Sequence, residues 1–238
     1  MNISVVVATY NGEKFLESQL DSIFSQIEEN DECIITDDGS VDNTIPIIKK
    51  YIKKYGKKNI ILVNGKGKGF VKNFENGINY CNNEIIVFSD QDDIWEDSKI
   101  ETIKEVFAFH PEYEVVLHNA KVINESGITI MDSYWEDRNA RHGIIKNIIK
   151  SSYTGCCMAV KKEFVNTLIP FNKYTISHDM CIGIISEKRK SAYFLDKKLI
   201  SYRKHSSNYS QKLKVISKIK VRLRLLQFYL TEVRNEQK

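Results

Sequence analysis

Three features of the amino-acid sequence predict an α/β protein built on a mostly parallel sheet with helices on both faces. Short β-branched runs alternate with segments of helical apolar spacing through the first ninety residues. The runs are continuously apolar, as strands buried on both faces are. Each run ends in a polar cluster, and in such sheets ligands bind beyond the carboxyl ends of the strands.

Residues 3–8 form the first predicted strand, followed by Thr9, Tyr10 and Asn11. Phe15, Leu16, Leu20, Ile23, Phe24 and Ile27 recur at helical spacing and predict the first helix. Residues 32–36 read as a second strand, ended by the turn-forming Asp37-Asp38-Gly39-Ser40. Asp42, Asn43 or Thr44 is suited to cap a helix through Ile47, Ile48, Tyr51 and Ile52. Strand 60–63, helix 70–81 and strand 84–89 follow. Further on, 115–123 and 128–131 predict strands, and 153–160 a strand leading into a helix over 161–168. A helix over 178–185 and one strand or a pair over 192–202 complete the body. No repeat, low-complexity stretch or linker interrupts it, so residues 1–211 read as one domain and 212–238 as an added helix.

Composition narrows the class. A chain of 238 residues, 42% hydrophobic, has enough apolar material for a sizeable core, which excludes a disordered or disulfide-scaffold protein. Cys33, Cys81, Cys156, Cys157 and Cys181 are odd in number and lack CxxC spacing, arguing against a zinc cluster and for reduced, cytoplasmic thiols. The N-terminus lacks the basic and apolar regions of a signal peptide, and no apolar window reaches the ~18 residues of a membrane span. The expectation is a cytoplasmic protein that at most touches a membrane. From Lys212 onward there are eight Lys/Arg against two Glu, so the body is slightly acidic although the whole chain is +4. A nucleic-acid partner is therefore not expected.

The strongest motif is Phe88-Ser-Asp-Gln-Asp-Asp-Ile-Trp95. Asp90 and Asp92 at a strand end are oxygen donors suited to Mg2+ or Mn2+, which would bridge a diphosphate. A solvated acidic turn, with Asp93 capping a helix, is the plainer alternative. Asp37-Asp38-Gly39-Ser40 is either an ordinary turn or an acceptor for a base N–H or ribose hydroxyl. Gly65-Lys66-Gly67-Lys68-Gly69 lacks the P-loop Lys-Ser/Thr pair and is either a basic phosphate-facing loop or an exposed turn.

Val6-Val-Ala-Thr-Tyr-Asn-Gly12, Thr36-Asp-Asp-Gly-Ser-Val-Asp42 and Phe88 to Trp95 resemble, in order and separation, the three N-terminal signatures of glycosyltransferase family 2. The resemblance continues through Thr154-Gly155-Cys156, His178-Asp179 and Tyr202-Arg-Lys-His205, and looks most like the rhamnosyltransferase-like branch that builds bacterial surface polysaccharides. It implies a GT-A fold: a Rossmann-like nucleotide-binding half (1–110), an acceptor-binding half (111–211) and inversion at the anomeric carbon. The implied donor is a UDP- or dTDP-linked sugar, and the acceptor a saccharide or lipid-linked saccharide. Thr9, Tyr10 and Asn11 then line the nucleoside pocket, and Asp38, with Asp37, reads the base. Lys68 meets the donor, and Asp90 and Gln91 lie beside it. Asp92, Asp90 and His205 hold Mn2+ or Mg2+, and Asp179 is the catalytic base. Met180-Cys181 departs from the bulky aromatics of many relatives, which leaves the acceptor pocket undefined.

Ile216, Ile219, Leu223, Leu226 and Leu230 make a stripe beside Lys214, Lys218 and Arg222. That pattern suits either an anionic membrane surface or packing on the domain or a second subunit. Two rival functions are a nucleotidyltransferase acting on a sugar phosphate and a non-catalytic sugar-nucleotide-binding module. The first usually has a Gly-rich loop directly after its first strand, where this chain has Thr-Tyr-Asn-Gly-Glu.

Overall fold

A computed structural model describes residues 1–56, 59–206 and 215–235. The apolar runs of the first half become β1 (Ile3–Thr9), β2 (Glu32–Asp37), β3 (Asn59–Asn64) and β4 (Ile85–Ser89). They pair in parallel in the order β3-β2-β1-β4. Register sets Thr9 opposite Asp37 and Asp37 opposite Asn64, so three polar strand ends share one rim. Between these strands lie α1 (Leu16–Phe24), α2 (Thr44–Lys54) and α3 (Phe70–Ile78). Leu16, Leu20, Ile23 and Phe24 pack with Val5 and Val7 of β1. Phe74 and Ile78 pack with Val6, on the other face of the same strand. Helices thus cover both faces, because a parallel sheet must bury both.

The second half comprises β5 (Ile94–Trp95), α4 (Lys99–Phe109), β6 (Val115–Ile123), β7 (Thr129–Met131), α5 (Tyr134–Arg138) and α6 (Ile144–Ile149). A 3-10 turn (Gly155–Cys157), β8 (Met158–Lys161), α7 (Lys162–Asn166), α8 (His178–Lys188), β9 (Ala192–Arg203) and α9 (Val215–Asn235) follow. All the strands join one sheet, ordered β3-β2-β1-β4-β8-β6-β9-β5 with β7 beside β6. Here the mostly parallel expectation needs correction. β8 runs antiparallel to both β4 and β6, and β5 antiparallel to β9. β8 leaves the 3-10 turn at the rim where β4 arrives, so the two must run in opposite directions.

Several local expectations are also refined. The strand expected from residue 153 begins only at Met158, because Gly155–Cys157 coils first. β9 is a single strand whose pairing with β6 shifts register near Asn119. α4, α5, α6 and β5 have no counterpart in the sequence reading. All five cysteines are buried and unbridged.

α9 packs on the domain through residues outside the apolar stripe. Leu225 and Phe228 are buried, and Val221 and Tyr229 pack against the same apolar cluster. Of the two alternatives for the stripe, packing on the domain is not what the described residues do: Ile219, Leu223, Leu226 and Leu230 are 43–57% exposed. The boundary at 211/212, Lys212 and Lys214 lie outside the described residues, as do the side chains of Ile216 and Lys218. Among the described residues no helix is long and apolar enough to cross a membrane.

Candidate active site

Side chains at the rim first hold one another. Buried Thr9 donates its Oγ1 proton to Asp37 Oδ2 at 2.7 Å. Asp37 also accepts the N–H groups of Gly39 and Ser40 and the Ser40 hydroxyl, at 3.0, 2.7 and 2.5 Å. Asn11, at φ +47°, donates its N–H to Ser40 Oγ and accepts the Val41 N–H. Gln91 pairs with the Tyr10 peptide in both directions, accepting its N–H at 2.8 Å and donating to its carbonyl at 3.0 Å. The carboxylate of Asp37, the amide of Asn11 and that of Gln91 are therefore committed to shaping the rim.

More of the open edge belongs to others. Tyr10 is 58% exposed, and Lys68 is exposed beside half-buried Asp38. Asp38 accepts the backbone N–H groups of Lys68 and Gly69 at 3.2 and 2.8 Å, clamping the Gly/Lys loop to the Asp turn. Gly65 permits this: a Cβ there would fall 2.6 Å from the Asp37 carbonyl oxygen and 2.8 Å from Asp38 Cα. Asn73 of α3, not anticipated from sequence, ties the two strand ends by donating to the carbonyls of Thr36 and Thr9.

The end of β9 closes on the acidic loop. Arg203 donates its backbone N–H to Asp93 Oδ1 and its Nε proton to the Asp92 carbonyl, both at 2.9 Å. Two residues on, His205 Nε2 lies 2.7 Å from Asp92 Oδ2. The structure thus brings together His205 and Asp92, two residues singled out from the sequence. Asp90, Asp93 and Cys156 form a second group whose ligand atoms lie within 4.8 Å of one another.

Carboxylates crowd together in this group. Asp93 Oδ2 is buried without a hydrogen-bond partner. Burial, with the Asp92 charge added, pushes the Asp93 carboxyl up to about 7. Burial and then Asp92, Asp93 and Asp179 raise Asp90 well above the usual carboxylate range. A hydrogen bond to Cys157 and burial raise the Cys156 thiol, which disfavours it as a thiolate ligand. Carboxylates with one imidazole are donors suited to Mn2+ or Mg2+, so the residues present fit such an ion.

Asp179 lies in the first turn of α8. Its carboxylate accepts the Gly155 N–H at 3.1 Å, the Met180 N–H at 2.7 Å and the Ser177 hydroxyl. His178 has a different task. It is buried against Phe74 and Phe88, with ring centroids 4.0 and 5.1 Å away, and burial lowers its pKa. A Cβ at Gly155 would come within 2.8 Å of His178 Nε2, so glycine lets the 3-10 turn approach α8.

Lys99 is the residue that sequence reasoning missed entirely. It is fully buried, donates to the Cys156 carbonyl at 2.7 Å and lies 4.3 Å from the Trp95 ring centroid. Burial pushes its amine down to about 8, and the neighbouring thiols and the carboxylates of Asp93 and Asp90 oppose that shift. A single lysine at the start of a helix carries no local signal of burial. Lys99→Met should cost about 2 kcal/mol of stability, because it leaves the buried Cys156 carbonyl without its donor. Denaturant unfolding measures this. A loss below about 0.5 kcal/mol, typical of surface changes, would refute the role.

A mixed sheet of this order, with an acidic loop after β4 and a facing carboxylate on α8, defines a GT-A type of transferase fold. The chain belongs to glycosyl transferase family 2, which it matches over residues 4–169. It is 30% identical over 221 residues to the dTDP-rhamnosyl transferase RfbG of Shigella flexneri, covering 85% of this chain and 72% of that protein. Its fold is similar to that of S. aureus TarS 1–349 in complex with UDP-GlcNAc, with a TM-score of 0.71 at 19% identity. That match covers 90% of this chain and 62% of TarS 1–349. The mannosyltransferase PcManGT from Pyrobaculum calidifontis, in complex with GDP-Man and Mn2+, gives a TM-score of 0.66 at 16% identity. It covers 98% of this chain, which spans 64% of it. The chain therefore spans less than two thirds of both solved structures. Neither the nucleotidyltransferase nor the non-catalytic reading is favoured by this membership.

Proposed function

We propose that the chain is an inverting glycosyltransferase that moves a sugar from a UDP- or dTDP-linked donor to a glycan or lipid-linked saccharide. Its setting is bacterial surface polysaccharide synthesis, such as capsule or O-antigen, at the cytoplasmic face of the cell membrane. One observation carries the reading: the ligand atoms of Asp90, Asp93 and Cys156 lie within 4.8 Å of one another, and the adjacent Gly155 N–H is donated to Asp179, so the acidic loop and the second carboxylate meet at one 3-10 turn. The names of the relatives support the donor classes.

In this reading residues 1–110 hold the donor and 111–211 the acceptor. Tyr10 covers the nucleoside, with Thr9 and Asn11 shaping the pocket and Gln91 fixing the Tyr10 peptide. Asp38 reads the base, while Asp37 holds the turn that presents it. Lys68 faces the diphosphate. Asp92, Asp90 and His205 hold Mn2+ or Mg2+, which when bound supplies Lewis-acid charge for the leaving diphosphate. Asp179 takes the proton from the acceptor hydroxyl as that oxygen attacks the anomeric carbon opposite the departing diphosphate. One attack on the opposite face inverts the centre, without a covalent enzyme intermediate.

A panel of UDP- and dTDP-sugars tests this. The protein with Mn2+ or Mg2+ should slowly release nucleoside diphosphate from a preferred donor, and EDTA should stop the release. If no donor in the panel is turned over with either ion present, the reading fails.

A further inference from the structure

We infer that α6 and α9 together form a docking surface for an anionic lipid bilayer. α9 packs against α6, and the Arg222 Nε proton is donated to the Ile149 carbonyl at 3.0 Å, so the two exposed faces meet. Each helix is apolar on two sides. Ile144 and Ile148 of α6 pack inward, as do Leu225 and Phe228 of α9. Outward, Ile145 and Ile149 are 74% and 58% exposed, next to the 43–57% exposed Ile219, Leu223, Leu226 and Leu230. Six exposed aliphatic side chains on two touching helices exceed the scattered apolar exposure of an ordinary surface.

Charge selects the occupant. Lys146, Lys220, Arg222 and Arg224 are exposed on the same two helices, and exposed Lys150 directly follows α6. Residues 139–152 and 206–231 contain no Asp or Glu. A second copy joined through this face by a two-fold axis would set these cations against themselves. A nucleic acid would satisfy the cations but offers no hydrocarbon for the aliphatic residues. An anionic leaflet satisfies both, as it does for amphipathic interfacial helices. α9 also packs on α8, whose first turn carries Asp179, so the bilayer would lie on the side of the chain assigned above to the acceptor. The surface itself does not depend on that assignment.

The test uses the full chain and vesicles of phosphatidylcholine with or without 40% phosphatidylglycerol. The protein should co-sediment with the anionic vesicles and not the neutral ones, and high salt should release it. The pairs Ile145→Ser/Ile149→Ser and Lys220→Glu/Arg224→Glu should each weaken binding about tenfold or more. Thermal unfolding should be unchanged, since these side chains are exposed. Absence of binding to anionic vesicles overturns the inference. So does a vesicle-independent dimer that the same pairs dissociate. If only the α9 pair weakens binding, the two-helix surface is refuted. Donor hydrolysis without vesicles, measured in parallel, reports the catalytic reading separately.

Discussion

Asp92→Asn should remove metal-dependent sugar transfer while leaving the chain folded. Asn has nearly the same shape, and its amide oxygen can still face His205 Nε2, which lies 2.7 Å from Asp92 Oδ2 in the native site. The loop is also held by its backbone, since Arg203 donates to the Asp92 carbonyl. What the substitution removes is one negative charge at the proposed ion site. Loss of one preorganised electrostatic contribution costs roughly 10²–10³ in turnover, and loss of the ion would cost more. Initial rates against Mn2+ concentration, with circular dichroism as the fold control, measure this. Unchanged turnover that also resists EDTA would refute the ion-assisted mechanism.

For Asp179→Asn the expected signature is different: turnover down by about 10²–10⁴-fold with affinity for the nucleoside diphosphate nearly unchanged. The Asn oxygen can still accept from the Gly155 and Met180 N–H groups, so the 3-10 turn and the start of α8 should keep their geometry. Only the ability to take a proton is lost. Single-turnover rates and calorimetric titration with the nucleoside diphosphate separate the two effects. A collapse of affinity would instead assign Asp179 to the donor or ion site.

The rim shows how far local reading reaches. That β1 and β2 end in Thr9 and Asp37, and β4 in Ser89 just before Asp90, follows from continuous apolar runs of similar length in parallel register. How the polar side chains divide the work does not follow. Gln91 and Tyr10 are 81 positions apart and Arg203 and Asp92 111 apart, so neither pairing leaves a local pattern. α6 is also hard to find, because Ile-Ile-Lys-Asn-Ile-Ile is apolar on two sides and has no single helical face.

The sequence by itself determined the parallel first half, the row of polar strand ends and the family. These depend on local period, turn chemistry and motif order, which are properties of neighbouring residues. Only the tertiary structure decided the antiparallel insertion of β8, the buried Lys99 beneath the acidic loop, and which face of α9 is covered. Each of those depends on which distant surface a segment meets. A helix with apolar residues on two sides can bury either one, and the choice fell to Leu225 and Phe228 because the α6 and α8 side of the core was there to receive them.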